Sequence, residues 1–267
     1  VDSSDKILKK NILNICNEFK VSIFFSKPST SGQRNLGLKK LSGNKLQFVM
    51  FLDDDLKFYK NSFKVMDLNI KKNKEKYIGF VFNNTQLNEK KSFLERIKVS
   101  KFVESIGFYS SRPGRVLDNG WQTKISNLKK NLDSQWAPTA AIVLKKNILK
   151  GKNFEKSFGN YSYLEDLDFS LQLNHKRNNL FLVVSNARFV HLKEIARTSF
   201  VFGYYEFANR YKIVKKFHLS KLQFFLMAVV KMFLTVFSIV VNYKNIFKLM
   251  GNVVGIIACA LFMQTKK

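Results

Sequence analysis

The chain has 267 residues, 46% of them apolar, enough for one large or two small domains with a sizeable core. Its net charge of +27 comes from 46 Lys plus Arg against 19 acids, and that favours anionic partners. Most of the excess is Lys scattered through an Asn-rich sequence, without an RNA-binding aromatic signature or zinc-ligand spacing, so nucleic acid is not the expected partner.

The two cysteines, Cys16 and Cys259, lie too far apart in sequence to suggest a disulfide framework, which favours a reducing compartment. No signal peptide is visible. The first residue is Val1 rather than Met, so the true N-terminus is expected to be missing.

Residues 1–5 read as a strand running into a helix cap, with Ser4 or Asp5 capping a helix over 6–18. Ile7, Leu8, Ile12, Ile15 and Cys16 have helical spacing. Residues 20–25 read as a strand, and Gly32 opens a short helix to Leu41. Next comes the apolar run Phe48-Val49-Met50-Phe51-Leu52, which ends in Asp53-Asp54-Asp55. Such a run predicts a strand buried on both faces, as in a parallel sheet. Its three carboxylates would sit at the sheet edge where open α/β sheets bind ligands. Adjacent carboxylates repel unless a cation compensates, and a divalent ion on Asp55, with Asp53 one strand period away, supplies one. An acidic turn capping the strand and starting a helix is the plainer alternative.

Further on, helices are expected over 61–72 and 89–105, and a strand over 77–83. Residues 107–135 read as an irregular loop over the site, whose Arg112 and Arg115 meet either phosphate or solvent. A strand over 140–144, a loop over 153–160, a helix over 163–174 and two short strands over 180–185 and 187–192 follow. The helix opens on Glu165, Asp166 and Asp168. Acids in a first turn are favoured by the helix dipole, so this is either a well-formed N-terminus or the seat of a general base. His191, at a strand end, is either structural or a ligand or phosphate contact.

Three pieces in this order, Arg34-Asn35 with Gly37, Phe51-Leu52-Asp53-Asp54-Asp55, and Glu165-Asp166-Leu167-Asp168, resemble a family 2 glycosyltransferase of the GT-A fold. Trp136-Ala137-Pro138 with the apolar run 140–144, and Asn153-Phe154-Glu155-Lys156-Ser157-Phe158, are similar to further segments of that family. The resemblance covers residues 1–191. It implies an α/β domain with a Rossmann-like mixed sheet flanked by helices over 1–197, its first strand and helix absent. It implies an inverting sugar transfer from a nucleotide-diphospho-sugar to a glycan or lipid-linked acceptor, with Mg²⁺ or Mn²⁺ as cofactor. Asp166 matches the catalytic base, with Glu165 beside it. Asp53 and the adjoining Asp54 match contacts to the nucleotide sugar, and Asp55 matches the metal-bound diphosphate. Arg34 and Asn35 match the helix flanking the nucleotide, Asp2 the acid that meets the base, and His191 a residue at the diphosphate and its metal. Gln172 stands where family members often carry Arg. The absent first strand leaves an alternative, a catalytically inactive scaffold of the same fold.

Residues 198–267 form a different region. The aromatic and basic stretch 198–217 predicts an amphipathic helix on a membrane surface. The apolar stretches 222–241 and 246–263 are near bilayer-spanning length, each with one lysine, Lys231 and Lys248. A hairpin turning at 242–245 would pair the stripe Lys231, Thr235, Ser238 and Asn242 with the small residues Gly251 and Gly255. Basic flanks at Lys215, Lys216, Lys221, Lys266 and Lys267 place both ends on the cytoplasmic side of an anionic membrane, with spanning favoured slightly over interfacial seating.

Overall fold

In the computed structural model of the chain, residues 1, 3, 6–41, 45–85, 104–105, 107–159, 162–174, 177–178, 180–192 and 197–264 are described. Asp2, the cap at Ser4 or Asp5, most of the helix expected over 89–105, and Lys266 and Lys267 lie outside them.

The centre is a mixed sheet. Its strands are β1 (Phe48–Leu52), β2 (Leu56–Phe58), β3 (Gly79–Asn84), β4 (Leu132–Ser134), β5 (Ala141–Lys145) and β6 (Phe181–His191). The spatial order is β1-β5-β3-β6-β2, with β4 also paired to β6. β3 and β6 are parallel; β5 runs antiparallel to both β1 and β3, and β2 and β4 run antiparallel to β6.

β1 forms where the apolar run predicts it, but it is not buried on both faces. Among the described residues it pairs with β5 alone, so Met50 and Leu52 stay exposed. The stretch 20–25 forms no strand: Lys20 turns with a φ of 53°, and Phe25 is a single bridge residue. The two strands expected over 180–192 are one. The β3–β6 register shifts between Phe82, opposite Val184, and Asn83, opposite Arg188. This bulge falls at Ser185-Asn186, where the polar break in the sequence suggests a strand end. The Asn83 amide fills it, donating to Ser185 O at 2.8 Å and Leu128 O at 3.0 Å and accepting from Leu128 N–H at 3.1 Å.

The helices are α1 (Lys6–Glu18), α2 (Thr30–Lys40), α3 (Ser62–Asn73), α4 (Glu165–Leu173), α5 (Phe200–Lys216), α6 (Lys221–Val241) and α7 (Asn245–Gln264), with α3 on one face of the sheet and α4 on the other. The period-two alternation of β3 divides the core. Phe80 and Phe82 pack with Met66 of α3, while Val81 packs with Leu167, Phe169 and Leu171 of α4. Phe154 stacks on Phe169 at 3.9 Å between ring centroids and meets Phe51 of β1 edge-on at 5.5 Å.

Helix α5 departs most from expectation. Much of the helix expected on a membrane surface is packed against protein. Phe202, Phe207, Asn209, Arg210 and Ile213 are buried, and Ile213 and Phe217 belong to the same core as α4. Its faces are occupied by the loops carrying Gly120, Phe158 and Tyr163 and by α7, so its buried aromatic residues are packing groups. The hairpin turn at Asn242-Tyr243-Lys244 forms as the sequence suggests. Gly251 and Gly255, however, face α5 rather than α6. A Cβ on Gly255 would meet Tyr204 O at 2.8 Å, and one on Gly251 would meet Tyr204 N at 2.8 Å. Removing side-chain bulk there lets two backbones approach closely, and the close partner is the buried helix.

Phe154 links β1, α4 and the loop between β5 and α4. Replacing Phe154 with Ala should destabilise the fold by about 3–5 kcal/mol. The check is the shift in urea midpoint of detergent-solubilised protein at unchanged slope.

Candidate active site

The site gathers at the end of β1, at α2 and at the first turn of α4. Beyond Leu52 the chain leaves the strand: Asp53 N–H donates to Ala140 O at 2.8 Å, and Asp54-Asp55 turn into β2. The acidic triplet is thus a strand-to-strand turn, neither a continuation of β1 nor a helix start. The turn separates the three carboxylates. Asp53 accepts from Arg34 Nη2 at 2.8 Å, Asp54 is exposed, and Asp55 Oδ1 lies 3.5 Å from His191 Nδ1. The last pair follows from sheet register, because Leu56 opposes His191 and Leu192 N–H donates to Asp55 O at 2.9 Å.

Arg34 joins the two acidic stretches. Its second terminal nitrogen donates to Glu165 Oε1, and its guanidinium lies over the Phe154 ring at 5.4 Å. Ser31, one helical turn earlier on α2, donates to the other Glu165 oxygen at 2.6 Å. Ser29 caps α2 by accepting from Gly32 N–H at 3.1 Å, which sets the helix start and hence where Ser31 and Arg34 point. Asn35 makes two bonds to the backbone of Phe154, donating at 2.9 Å and accepting at 2.7 Å. It pins the loop on which Arg34 rests. Arg112, in the loop 107–135, is exposed.

The three acids of α4 differ in their surroundings. Glu165 is buried, and burial pushes its carboxyl above the ordinary range against the opposing pull of Arg34 and Ser31. Asp168 has no exposure and is likewise pushed up by burial; Lys216 Nζ at 2.8 and 2.9 Å and Gln172 Nε2 at 2.7 Å oppose it. Asp166 is half-buried and also pushed up by desolvation. Its Oδ1 accepts the Leu167 amide at 2.8 Å, and no ion pair to it occurs among the described residues. The two neighbours are each in an ion pair, whereas Asp166 feels Arg34 and Arg197 only at longer range. Leu164, with φ of 72°, is a non-glycine residue in the left-handed region immediately before this turn. Such strain concentrates at functional sites.

Ser31 and Lys216 are functional neighbours that the sequence does not reveal. Lys216 lies 48 residues beyond its partner, on a helix whose composition suggested a membrane surface. Gln172, in place of the expected Arg, binds Asp168 and Asn153 O, and Lys216 supplies the charge that an Arg would bring.

The chain resembles solved structures in architecture. GalNAc-T7, crystallised with UDP, GalNAc and Mn²⁺, matches with a TM-score of 0.50 at 10% identity over 85% of this chain and 49% of that one. The fold is GT-A-like. Residues 1–349 of TarS from S. aureus match with a TM-score of 0.43 at 16% identity, over 81% of this chain and 58% of that one. The chain spans about half the length of these two structures. No protein-family model and no curated protein matches the sequence.

Among the described residues no cluster of three or more His, Cys, Asp or Glu side chains could hold a metal by itself. The Asp55–His191 pair still fits a diphosphate-bound Mg²⁺ or Mn²⁺. Such ions take one or two protein ligands and complete their shell with substrate oxygens and water. A carboxylate oxygen and an imidazole nitrogen 3.5 Å apart can both reach one ion.

Lys216→Met should leave Asp168 buried without its cation and destabilise the protein. A buried pair broken on one side costs about 3–5 kcal/mol, and the partial exposure of Lys216 reduces this to about 2 kcal/mol. Adding Asp168→Asn should restore much of the loss, because an amide needs no counter-ion. Denaturation midpoints of the two single variants and the double variant check this cycle.

Proposed function

We propose that the chain is an inverting glycosyltransferase that moves a sugar from a nucleotide-diphospho-sugar to a glycan or lipid-linked acceptor at the cytoplasmic face of a membrane. One observation carries the reading. In a single helical turn Glu165 and Asp168 are each in an ion pair, whereas Asp166 is desolvated and makes none among the described residues. A carboxyl whose proton affinity is raised above the ordinary aspartate range is suited to general-base work. The GT-A-like fold and the family 2 resemblance of the motifs support the same assignment.

The mechanism follows from the residue types. The acceptor hydroxyl approaches Asp166, which takes its proton as the oxygen attacks the anomeric carbon. Glu165, held by Ser31 and Arg34, keeps the turn rigid and the second carboxylate neutralised. Asp53 and Arg34 border the donor side, with Asp54 at the rim and Asn35 fixing the loop beneath. Asp55 and His191 would hold Mg²⁺ or Mn²⁺, and the ion when bound offsets charge on the departing diphosphate. Asp2 is proposed to meet the base of the nucleotide, as the motif resemblance implies.

A second reading is a catalytically inactive scaffold. It is favoured by Arg34, which already satisfies Asp53 and Glu165 together in a closed network. Titration of UDP, GDP and dTDP with and without Mn²⁺ separates the two. Metal-dependent binding that Asp55→Ala abolishes supports the enzyme. Folded protein that binds no nucleotide supports the scaffold.

Asp166→Asn should retain nucleotide binding and lower transfer by about 10²–10⁴-fold, the usual share of a general base. In the parent, transfer should fall on the acid side at a pH above the ordinary aspartate range, because the base works only when deprotonated. The same raised proton affinity has a stability consequence of fixed sign. The folded form binds the Asp166 proton more tightly than the unfolded chain does. The resulting stabilisation is present in acid and is lost as pH rises through the folded value. Asp166→Asn should remove that part of the pH dependence of Tm.

A further inference from the structure

The sequence leaves the tail free either to cross a bilayer or to lie on one, and packing decides between them. Helices α5 and α7 run side by side in the same direction. Gly203 faces Asn252, Gly251 faces Phe200, Gly255 faces Tyr204 and Phe207, and farther along Phe207, Tyr211 and Cys259 share one cluster. Helix α6 runs back alongside them. Its first turn is tied to the body, where Ser220 N–H donates to Asp118 O at 2.8 Å. Its far end reaches the start of α5. There Tyr243, Lys244 and Phe247 line a cavity of about 520 Å³ together with Thr198, Ser199 and Phe200.

Helix α5 is itself sunk in the catalytic body. Asn209 donates to Phe158 O at 3.3 Å and Tyr163 O at 3.0 Å, Arg210 bonds Gly120 O, and Lys216 pairs with Asp168. A 21-residue helix is about 30 Å long, close to the hydrocarbon thickness of a bilayer. With both ends against one folded body, it cannot carry either end across.

Among the described residues the outer face of the hairpin has no such partner. Leu226, Phe233, Phe237 and Val240 of α6 and Val253 and Ile257 of α7 are exposed, and together they form an apolar face. Residues 221–264 contain no Asp or Glu. Their interior lysines turn toward the body: Lys248 Nζ lies 3.0 Å from Glu206 Oε2, and Lys231 sits in the field of the same glutamate. Exposed lysines, Lys215, Lys221 and Lys244, stand at the ends of the slab. Apolar groups outside, charge inside and a basic rim match an anionic bilayer surface.

We propose that the α6–α7 hairpin is a monotopic anchor. It lies in the plane of an anionic membrane with its outer face at the headgroup–acyl boundary, and both of its ends remain on the side of the catalytic domain. The inference rests on the membrane reading above and adds a geometry to it. Asp166 is then coupled to the anchor through α5, whose Asn209 holds Tyr163 O and whose Lys216 holds Asp168, which suits an acceptor carried on a membrane lipid.

The test uses the full chain with Cys16→Ser and Cys259→Ala. A single reporter is placed at the hairpin tip (Lys244→Cys) or at the exposed bulge of the body (Asn186→Cys). Sealed inside-out and right-side-out vesicles from expressing cells are labelled with a membrane-impermeant maleimide. In-plane seating expects both reporters to label in the same vesicle type, with flotation on phosphatidylglycerol-containing vesicles reduced at least tenfold by Phe237→Asp. Labelling of tip and body in opposite vesicle types overturns the in-plane geometry but leaves the membrane reading standing. Folded protein that does not float and is dimeric in lipid-free buffer overturns both, and assigns the apolar face to a second copy of the chain.

Discussion

A carboxylate taken out of water needs a cation or a proton, and this constraint organises the molecule around helix α4. Three acids open that helix within one turn. Glu165 is met by Arg34 from α2, and Asp168 by Lys216 from the last turn of α5. Both cations come from outside the central sheet and from opposite ends of the chain. The first turn of α4 is therefore correctly charged only when α2 and α5 are both docked. Asp166, between them, is left with its own helix amide and a raised proton affinity.

The same pairing explains why the C-terminal helices are not an appendage. Helix α5 brings Lys216 to Asp168, Asn209 to the carbonyls of the loop before α4, and Ile213 and Phe217 to the main core. Its other side takes α7 through Gly203, Gly251 and Gly255, where side chains larger than hydrogen would strike backbone. The apolar hairpin is thus rigidly joined to the helix that supports the site. On the proposed reading, membrane seating and active-site orientation become one geometric problem.

Much of this was legible in the sequence where periodicity and local chemistry act alone. The helices expected at 6–18, 61–72 and 163–174 form at 6–18, 62–73 and 165–173, and with the strand at 48–52 and the turn at 242–244 they emerge from apolar spacing and turn residues. The pairing of Asp55 with His191 was not legible, because it depends on β2 lying beside β6. Nor was the single long strand β6: a polar Ser185-Asn186 pair looks like a strand end until Asn83 from another strand satisfies it. The aromatic helix α5 misled for a related reason. Phe and Tyr on a helix signal burial without saying whether lipid or protein does the burying.

By itself the sequence determined the fold class, the two acidic stretches and the apolar character of the tail, since each follows from residues close together in the chain. Tertiary structure alone decided which acids are held in ion pairs, because Arg34 and Lys216 reach α4 from 131 and 48 residues away. It also decided that both ends of the apolar hairpin stay beside the body. Hydropathy counts how many residues prefer to leave water, but only packing fixes where the ends of a helix are held.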